Sequence, residues 1–483
     1  MGTHLAIDLG TSSVKALVTD ERGDPLGTAR RAYRVSAPHP GWAEGDPEAW
    51  WQAVVEAVRE AVTGAEVAPT GIGLSGQMHG VVLVDGDGRP VRDAILWPDG
   101  RADTVLDDLR ELPEERLHAL ANPVVAGMAG PMLRWLALHE PHVLREARWA
   151  FQAKDWLRLR LTGVANSEPS DASATLLFDV VEGRWATDVA EALEIDAGLL
   201  APLIGSQEVA GGLTRGSAQE LGLTVGTPVV AGAADVAASS LGTGLLQPGT
   251  AQLTVGTGGQ LVTPLSRPHP RPEAGRHVYR SALPDGWFAM AAILNAGLAL
   301  GWVRDLFDVP WPDVYDTLTT SIVTDDPLFV PHLVGERTPY VDAGLRGSFS
   351  GLGLNHDRDT VLRAALEGVA FALRDAFDAL PELDANVRLR LVGGGSSHPA
   401  WRQLLADVLG RGLDAVDAAD ASARGAALLS ALGAGDVSDA ELGTDLAPAV
   451  TDRVDPDEER HAFHSARLER YRDAVQSLRR GVR

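Results

Sequence analysis

The sequence predicts an α/β protein built from two similar units that follow one another along the chain. Its 483 residues suit two large domains or three small ones, at about 150 residues per domain. A strand, a Gly-Thr turn and a second strand open the chain at residues 4–19, and the pattern returns from residue 250. A glycine-rich stretch at residues 242–249 separates the two copies. We therefore expect domains at residues 1–242 and 243–483.

Local signals define the elements of the first unit. Residues 4–8 and 14–19 are apolar strands joined by a polar turn. Asp46 is a helix N-cap, Pro47 fits the first helical position, and apolar side chains recur at helical spacing as far as Val62. The further elements predicted are strands at residues 71–75, 81–84 and 225–231, a hairpin turn at 85–88 and a mostly helical segment at 101–200.

The second unit repeats this mixture of strands and helices. Residues 250–255 form a strand that leads into the second Gly-Thr turn. Residues 359–380 form a long helix with one apolar face, and Pro381 follows its end. Residues 389–392 form a strand before three consecutive glycines. The charged tail beyond Asp452 is expected to be an exposed helix.

Composition excludes several classes of function. The formal charge is −24, from 42 basic and 66 acidic residues, which argues against a broad nucleic-acid surface. The absence of cysteine excludes disulfides, thiolate catalysis and zinc–cysteine sites. Lys15 and Lys154 are the only lysines, and neither follows a glycine, so the chain has no Walker A loop.

The sequence gives no sign of a membrane or secretory segment. It contains no apolar run of about 18 residues, the length that a membrane span requires. The N-terminus has no basic region, and Asp8 interrupts its apolar stretch, unlike a secretory signal. The cytoplasm is therefore the expected location.

Residues 71–76 match a dinucleotide-binding fingerprint, but their context does not support that function. The fingerprint needs a strand before the glycines and a helix that opens after them. Here the glycines lie within a predicted strand, and the next element is another strand. We reject a dinucleotide site.

The first turn combines a strand-ending carboxylate, Asp8, with the small residues Gly10, Thr11 and Ser12. Such a loop can present backbone N–H groups to a phosphate while the carboxylate holds a hydrated cation. An ordinary hairpin turn is the alternative. The second Gly-Thr turn, at Gly256 and Thr257, favours the first interpretation, because two such hairpins could close on one polyphosphate from both sides.

Three consecutive glycines at residues 393–395 cost conformational entropy, so they need a reason. Close approach of a flat ligand such as adenine is one reason, and a plain strand-to-helix turn is the alternative.

Asp235 lies alone in a run of alanines and other small residues. It is either a helix N-cap or a buried carboxylate beside a ligand. In the second case its small neighbours leave room for a hydroxyl that it could deprotonate as a general base.

The chain resembles the FGGY family of carbohydrate kinases, and most closely the branch that phosphorylates D-xylulose. The Gln-Met-His-Gly run at residues 77–80 is the motif most specific for that branch, and the Gly-Glu-Arg-Thr-Pro run at 335–339 is typical of the family. The other matching segments are residues 7–11, 41–44, 95–101, 154–157 and 393–395.

This resemblance implies two ribonuclease-H-like domains of the actin/hexokinase type, with a cleft between them. Sugar would lie mainly on the first domain and ATP mainly on the second. It also implies Asp235 as the catalytic base and Asp8 as the acid that helps to place Mg²⁺ through water. The implied sugar-binding residues are Gln77, Met78, His79, Asp99 and Asp235. The implied nucleotide-binding residues are Gly10, Thr11, Ser12, Lys15, Gly256, Thr257, Gly258, Gly394, Gly395 and Ser396.

Four positions depart from the family pattern. Val236 and Pro98 each replace an asparagine, Met132 replaces a lysine, and Gly258 replaces a serine. These departures bear on which sugar is used and leave the acid that does the chemistry in place. The expected partners are a small sugar and ATP, with neither nucleic acid nor membrane, and a homodimer is possible.

Three functions compete for this sequence. An ATP-dependent ketose kinase, acting on D-xylulose or on another pentulose or polyol, uses both Gly-Thr turns and Asp235. A non-catalytic ATP-binding relative would not need an acid at residue 235. A hydrolase with paired carboxylates would leave the glycine-rich loops unexplained.

Overall fold

A computed structural model describes residues 2–268, 275–320, 322–381, 383–418 and 420–481. The strands of the first half are β1 Thr3–Leu9, β2 Ser13–Asp20, β3 Pro25–Ala32, β4 Val35–Ser36, β5 Glu44–Gly45, β6 Gly71–Gly76, β7 Val82–Val84, β8 Ala94–Ile95, β9 Trp149–Phe151, β10 Phe178–Asp179, β11 Arg184–Trp185, β12 Val209–Gly212, β13 Pro228–Val230 and β14 Ala233–Ala234. Its α-helices are α1 Pro47–Ala65, α2 Leu106–Arg110, α3 Glu114–Leu120, α4 Ala129–His139, α5 Pro141–Glu146, α6 Ala153–Thr162, α7 Pro169–Ala172, α8 Thr187–Ala192, α9 Arg215–Leu221 and α10 Asp235–Gly242.

The second half contains longer helices and fewer strands. Its strands are β15 Ala251–Val255, β16 Gly259–Leu265, β17 Arg276–Arg280, β18 Trp287–Ile293, β19 Leu328–Val330, β20 Ser348–Ser350, β21 Leu389–Val392, β22 Leu413–Val416 and β23 Val450–Val454. Its α-helices are α11 Gly297–Phe307, α12 Trp311–Asp316, α13 Arg358–Asp378, α14 Pro399–Leu409, α15 Ala421–Ala434, α16 Asp439–Leu442 and α17 Glu458–Gly481. Short 3-10 helices occur at Arg101–Val105, Ala197–Leu199, Thr317–Thr319 and Gly394–Ser396.

The main sheets of the two halves share six strands in the same order, which confirms the predicted repeat, and the second sheet adds β17 at one edge. The first sheet has the order β12-β13-β6-β1-β2-β3, with β14 also beside β6, and the second has the order β17-β18-β16-β15-β21-β22-β23. In each sheet the opening strand forms an antiparallel hairpin with the next strand and pairs in parallel on its other side, β1 with β6 and β15 with β21.

Helix α1 covers the first sheet as its sequence pattern predicts. The Asp46 carboxylate accepts the Glu48 N–H at 2.9 Å, and Pro47 occupies the first helical turn. Trp50 and Val54, on the apolar face, are buried. Gly27 of β3 allows this close approach, because a Cβ there would lie 2.2 Å from the Ala61 carbonyl oxygen.

Helix α15 belongs to the second half in sequence but packs against β1, β6 and α10 of the first half. At Gly73 in β6 a Cβ would lie 1.8 Å from the Ala426 carbonyl oxygen, so the helix lies directly on the strand backbone. The two halves are therefore joined by the packing of α15 as well as by the chain that connects them.

Two predicted elements differ from the structure. The strand expected at residues 225–231 is only three residues long, since Gly226 takes a φ of 84° and Gly232 a φ of 80°, and each bends the chain. The C-terminal helix is not simply exposed. Its residues Leu468, Tyr471 and Val475 are buried, and Arg467 forms a buried ion pair with Glu367 at 2.6 Å.

Among the described residues, no helix combines the length and hydropathy that a membrane span requires.

Candidate functional site

Three neighbouring parallel strands of the first sheet end at the same edge. Leu9 of β1 is the register partner of Gly76 in β6, which also pairs with Ala234 of β14. The Gly-Thr hairpin follows β1, Gln77 follows β6, and Asp235 follows β14. The carboxyl ends of parallel strands are the usual place for ligands in open α/β sheets. The topology thus brings the predicted phosphate hairpin, sugar loop and base together.

Asp235 is the first residue of α10, while Ala234 is the N-cap, so the N-cap interpretation of Asp235 is wrong. The Val236 N–H donates to Asp235 Oδ1 at 2.8 Å. Burial, together with the negative charge of Asp8, raises the pKa of Asp235 to about 7, and the Val236 N–H only partly opposes this. A carboxylate with that pKa can accept a proton near neutral pH.

Asp8 lies at the end of β1, beside Ser75 of β6 in the sheet register. Burial raises the pKa of Asp8 to about 6, while the positive charges of Lys15 and Arg30 favour its ionised form. The edge of the sheet therefore holds two half-buried carboxylates.

The backbone of the predicted sugar loop, residues 77–79, is fixed by the first strand. The Gln77 N–H donates to the Leu9 carbonyl at 2.9 Å, and Gln77 Nε2 donates to the Gly10 carbonyl at 3.3 Å. Gln77 Oε1 is buried and has no hydrogen-bond partner among the described residues. The side chain of Met78 is only 4% exposed and packs into the core, so this residue can face a ligand chiefly through its backbone.

His79 has a φ of 77°, a left-handed conformation that is uncommon for a residue other than glycine and that is often found at functional sites. Its Nδ1 lies 3.0 Å from the Ala174 carbonyl, which can only accept, so Nδ1 carries the proton and Nε2 is an acceptor. Burial lowers the pKa of His79 to about 4. The ring is therefore neutral at pH 7.

The second half adds polar groups beside His79 that the sequence analysis missed. The Tyr279 ring lies 5.9 Å from the His79 ring, and His277 stacks on Tyr279 at 5.6 Å. Within the described chain, Tyr279 OH and His277 Nδ1 are buried without hydrogen-bond partners. The Arg337 guanidinium lies 4.9 Å from the Trp97 ring. No motif marks Tyr279 or His277, because only the fold brings β17 to this loop.

The Asp99 carboxylate accepts hydrogen bonds from neighbouring residues of the protein. It accepts the Ala43 N–H at 2.6 Å and the Arg101 Nε and Nη2 donors at 2.9 and 2.8 Å. These contacts order the loop that carries Trp97, whose Nε1 donates to Thr11 Oγ1 at 2.9 Å. In this segment it is Trp97, rather than Asp99, that contacts the predicted phosphate hairpin.

A cavity of about 490 Å³ opens between the two halves. Lys15 from the first half and Asp420 from the second both line it and form an ion pair with each other. The predicted residues that line it are Asp8, Gly10, Thr11, Ser12 and Lys15. Its lining from the second half includes Thr254, Val392, Gly393 and Asp420. The structure thus gathers the residues of the first hairpin around one cavity, and the other predicted glycines follow the strands that border it.

The second Gly-Thr hairpin is held by the start of α11. The N–H groups of Gly297 and Leu298 donate to the carbonyls of Gly256 and Thr257 at 3.0 and 2.9 Å. At Gly258 a Cβ would lie 2.5 Å from the Ile293 carbonyl oxygen, so packing alone explains this glycine. The hairpin follows β15, which pairs in parallel with β21, so it emerges at the same edge as residues 393–396.

The structure explains the three consecutive glycines in different ways. Gly393 has a φ of 99°, and a Cβ there would lie 2.4 Å from the Val255 carbonyl oxygen; at Gly395 the same distance would be 2.9 Å. At Gly394 a Cβ would have no described atom within 4 Å, and the φ of this residue is not left-handed. The protein's own packing therefore requires Gly393 and Gly395 but not Gly394. The side chain of Ser396 lies outside the described residues.

Aromatic rings stack a few residues beyond Gly394. His398 and Tyr315 stack with centroids 4.7 Å apart at 11°, and Trp311 stacks on Tyr315 at 5.7 Å. In the described chain, His398 Nδ1 is buried without a hydrogen-bond partner. The unpaired ring nitrogen is therefore a candidate partner for a polar ligand group.

Comparison with known proteins gives consistent matches along the chain. Residues 3–242 match the N-terminal domain of the FGGY family of carbohydrate kinases, and residues 251–434 match its C-terminal domain. A xylulose kinase of Escherichia coli K12 is 34% identical, covering 98% of this chain and 99% of its own. A glycerol kinase of Alkalilimnicola ehrlichii is 33% identical, covering 90% of this chain and 91% of its own. The crystal structure described as a xyloylose kinase from Brucella ovis has a TM-score of 0.91 at 35% identity and covers 99% of both chains.

Proposed function

Because the chain belongs to the FGGY family of carbohydrate kinases, we propose that it transfers the terminal phosphoryl group of ATP to D-xylulose. The observation that carries this proposal is the half-buried carboxylate of Asp235 at the strand edge from which both ligand loops emerge. The negative charge of Asp8 helps to raise its pKa to about 7. The names of several relatives, among them the xylulose kinases of E. coli and Staphylococcus epidermidis, support the choice of sugar.

The proposed chemistry is a single displacement. The oxygen of the sugar 5-hydroxyl attacks the γ-phosphorus, the bond from that phosphorus to the bridging oxygen breaks, and ADP leaves. Asp235 takes the proton of the hydroxyl as the new bond forms, giving D-xylulose 5-phosphate. Because Asp235 must be ionised before it can accept this proton, the reaction requires a pH near or above its pKa of about 7.

We propose that the sugar hydroxyls satisfy polar groups of both halves. Gln77 Oε1 and the free acceptor Nε2 of His79 would bind from the first half, and Tyr279 OH from the second. Buried polar atoms in native proteins nearly always have partners, which supports a polar ligand in this place. Met78 would contribute through its backbone, and Asp99 would act by ordering the Trp97 loop.

We propose that ATP lies across the cavity between the halves. The hairpin of Gly10, Thr11 and Ser12, together with Lys15, would hold the phosphates from one side, and Gly256, Thr257 and Gly258 from the other. Adenine would approach the backbone at Gly394 and Gly395. The empty space beside Gly394 and the nearby stack of His398 on Tyr315 support this arrangement. Ser396 is included on sequence grounds alone.

The residues also fit Mg²⁺ held together with ATP. Within the described residues, no three His, Asp or Glu side chains form a cluster able to hold a metal by themselves. Mg²⁺ is commonly held by one or two carboxylates and substrate phosphates, which suits Asp8, acting through water. When bound, the ion would offset negative charge on the phosphate oxygens.

The remaining parts of the proposal concern organisation. Sugar would bind mainly to residues 1–242 and ATP mainly to residues 243–483, and the repeated sheet topology supports two such units. We propose that the enzyme works in the cytoplasm, where its ATP is supplied, and as a homodimer.

The proposed function is tested by the choice of substrate. With ATP and Mg²⁺ present, we expect ADP release to be fastest with D-xylulose in a panel that also contains D-ribulose, glycerol and gluconate. The specificity constant kcat/KM for each compound is measured with a coupled assay. Inert D-xylulose alongside turnover of another compound would overturn the choice of sugar and leave the kinase activity standing.

The adenine position is tested by Gly394→Val. The new side chain would fill the space proposed for the purine, so we expect the Kd for ATP to rise at least about tenfold, a loss of about 1.4 kcal/mol. The Kd for the sugar should stay unchanged. Calorimetric titration with a non-hydrolysable ATP analogue and with sugar measures both constants.

The matched control is Gly86→Val, at another glycine where a Cβ would have no described atom within 4 Å and where the φ is not left-handed. It should bind both ligands normally. Equal loss of sugar and nucleotide binding in Gly394→Val, at unchanged thermal stability, would contradict adenine at this loop.

A further inference from the structure

A cluster of five charged side chains lies fully buried beside the end of β6, where a Cβ at Gly76 would lie 3.0 Å from the Lys154 Cβ. Lys154 Nζ contacts the carboxylates of Asp155 at 2.6 Å, Glu168 at 3.1 Å and Asp171 at 2.9 Å. Arg158 Nη1 contacts Asp155 at 2.8 Å. All five side chains have 0% exposure. The proposed chemistry uses none of them.

Glu168 connects this cluster to the backbone that precedes Asp235. The hydroxyl of Ser170 donates to Glu168 Oε1 at 2.7 Å and accepts the N–H of Ala234 at 2.9 Å. The chain of contacts thus runs from Lys154 through one carboxylate and one hydroxyl to the residue directly before the proposed base.

Two further contacts reach the same segment. Arg158 Nη1 donates to the Ala231 carbonyl at 2.6 Å. Ser206 donates from its hydroxyl to Glu168 Oε2 at 2.8 Å, and its carbonyl accepts the Gly232 N–H at 2.9 Å. Residues 231, 232 and 234 are therefore all tied, directly or through a serine, to one buried charge cluster.

Apart from these contacts, the segment is held by main-chain contacts: β14 pairs with β6, and the Ala231 N–H donates to the Glu208 carbonyl at 2.9 Å. Residues 231–234 carry no side chain larger than a methyl group, so side-chain packing restrains them weakly. β14 consists of two residues, and Gly232 takes a φ of 80°. Small neighbours leave room for a substrate hydroxyl, but they also remove the packing that would hold the carboxylate in place.

We propose that the buried cluster, acting through Ser170, positions Asp235 for proton transfer. This inference rests on the proposed function, because it assigns positioning residues to the proposed base. Ser170 and Glu168 contact neither reacting atom in the proposed chemistry and act only through the backbone. A displacement of about 1 Å at a reacting group can lower the rate about a hundredfold. Accurate placement of Asp235 is therefore a sufficient reason for a buried charge cluster at this position.

A plain stabilising role is the competing explanation. Replacing a buried ion cluster by well-packed apolar residues is often neutral or stabilising, so stability alone is a weak reason for five buried charges. The contacts to residues 231, 232 and 234, one direct and two through serines, are what a positioning role requires. A double-mutant cycle separates the two explanations, because a positioning residue should have no effect once the base that it positions is removed.

The cycle compares wild type, Ser170→Ala, Asp235→Asn and the double variant. We expect Ser170→Ala to lower kcat about 10-fold to 100-fold with little change in KM for sugar or ATP. In the Asp235→Asn background the same change should have no further effect on kcat. Ser217→Ala is the matched control, because Ser217 is a buried serine of the first half whose hydroxyl donates to the Arg160 carbonyl at 2.8 Å. It should lose a similar amount of stability and keep its kcat.

The outcomes distinguish this inference from the proposed function. Normal kcat in Ser170→Ala, or an equal loss of kcat in the Asp235→Asn background, would overturn the positioning role while leaving the base assignment intact. Normal turnover in Asp235→Asn would overturn the base assignment itself, and the positioning role with it. If Ser170→Ala does not fold, Glu168→Gln takes its place in the cycle with the same expected results, because it weakens the same connection.

Discussion

Asp235→Asn is expected to lower kcat for phosphoryl transfer about 10²–10⁴-fold while the protein keeps its fold and binds ATP. The amide has nearly the same shape as the carboxylate and can still accept the Val236 N–H. It cannot take a proton from the sugar hydroxyl, and the loss of a general base costs about 10²–10⁴-fold in kcat. Steady-state kinetics measure this loss, and calorimetric titration measures ATP binding. Asp407→Asn, at a buried aspartate on α14, is the control and should retain activity.

The same assignment predicts the pH dependence of wild-type activity. Asp235 loses its charge as the pH falls through about 7, and Asp8 as it falls through about 6. The specificity constant kcat/KM should therefore decline on the acid side from near pH 7, and more steeply below about pH 6. A profile that stays flat down to pH 5 would contradict a base at Asp235.

Asp235→Asn should also make the protein more stable at neutral and alkaline pH. The folded-state pKa of Asp235 lies above the ordinary value of 3.8, so between pH 3.8 and about 7 the folded state binds more protons than the unfolded state. The free energy of unfolding therefore falls as the pH rises through this window. Asparagine does not ionise, so the gain in stability should be largest above pH 7 and absent below pH 3.8. Denaturant titrations at pH 8 and pH 3.5 measure it.

The sequence predicted elements best where the signal is local. Strand β21 has the predicted bounds, and α1 begins at the predicted cap, because the identity of a few neighbouring residues sets each structure. The C-terminal helix was predicted without its buried face, since the arginines and glutamates that surround Leu468 and Tyr471 obscure their spacing. Arg467 is itself buried through its ion pair with Glu367, which a charge pattern alone does not indicate.

The candidate site was predictable where a motif follows a strand of the central sheet. Asp8 and Asp235 come together because their strands lie beside β6. Tyr279 was missed because it joins the site through an edge strand of the other half, and no local pattern encodes that contact. Asp99 was expected at the sugar, yet its carboxylate is engaged with Ala43 and Arg101. A motif fixes which residue types are present, whereas the tertiary contacts fix which of them remain free for a ligand.

Helices α10 and α15, one from each half, cross in close backbone contact. At Gly425 of α15 a Cβ would lie 1.8 Å from the Ala238 carbonyl oxygen, and at Gly242 of α10 it would lie 2.0 Å from the Ala421 carbonyl oxygen. The two helix backbones therefore touch, each at a glycine that faces the other helix. Helix α10 begins with Asp235, so this crossing also bears on the proposed base.

Gly425→Ala is therefore expected to destabilise the protein and to lower kcat. A methyl group cannot fit 1.8 Å from a backbone oxygen, so the helices must separate, and overpacking of this kind costs about 1–3 kcal/mol. Their separation would move α10 and with it Asp235. The control is Gly64→Ala on α1, where a Cβ would have no described atom within 4 Å outside its own helix. Alanine favours a helix over glycine by about 1 kcal/mol, so this variant should be more stable than wild type. Denaturant unfolding measures the change in the free energy of unfolding for both variants. If the helices cross as closely as described, the two changes have opposite signs. A Gly425→Ala protein as stable as wild type would show that the two helices can separate at no cost.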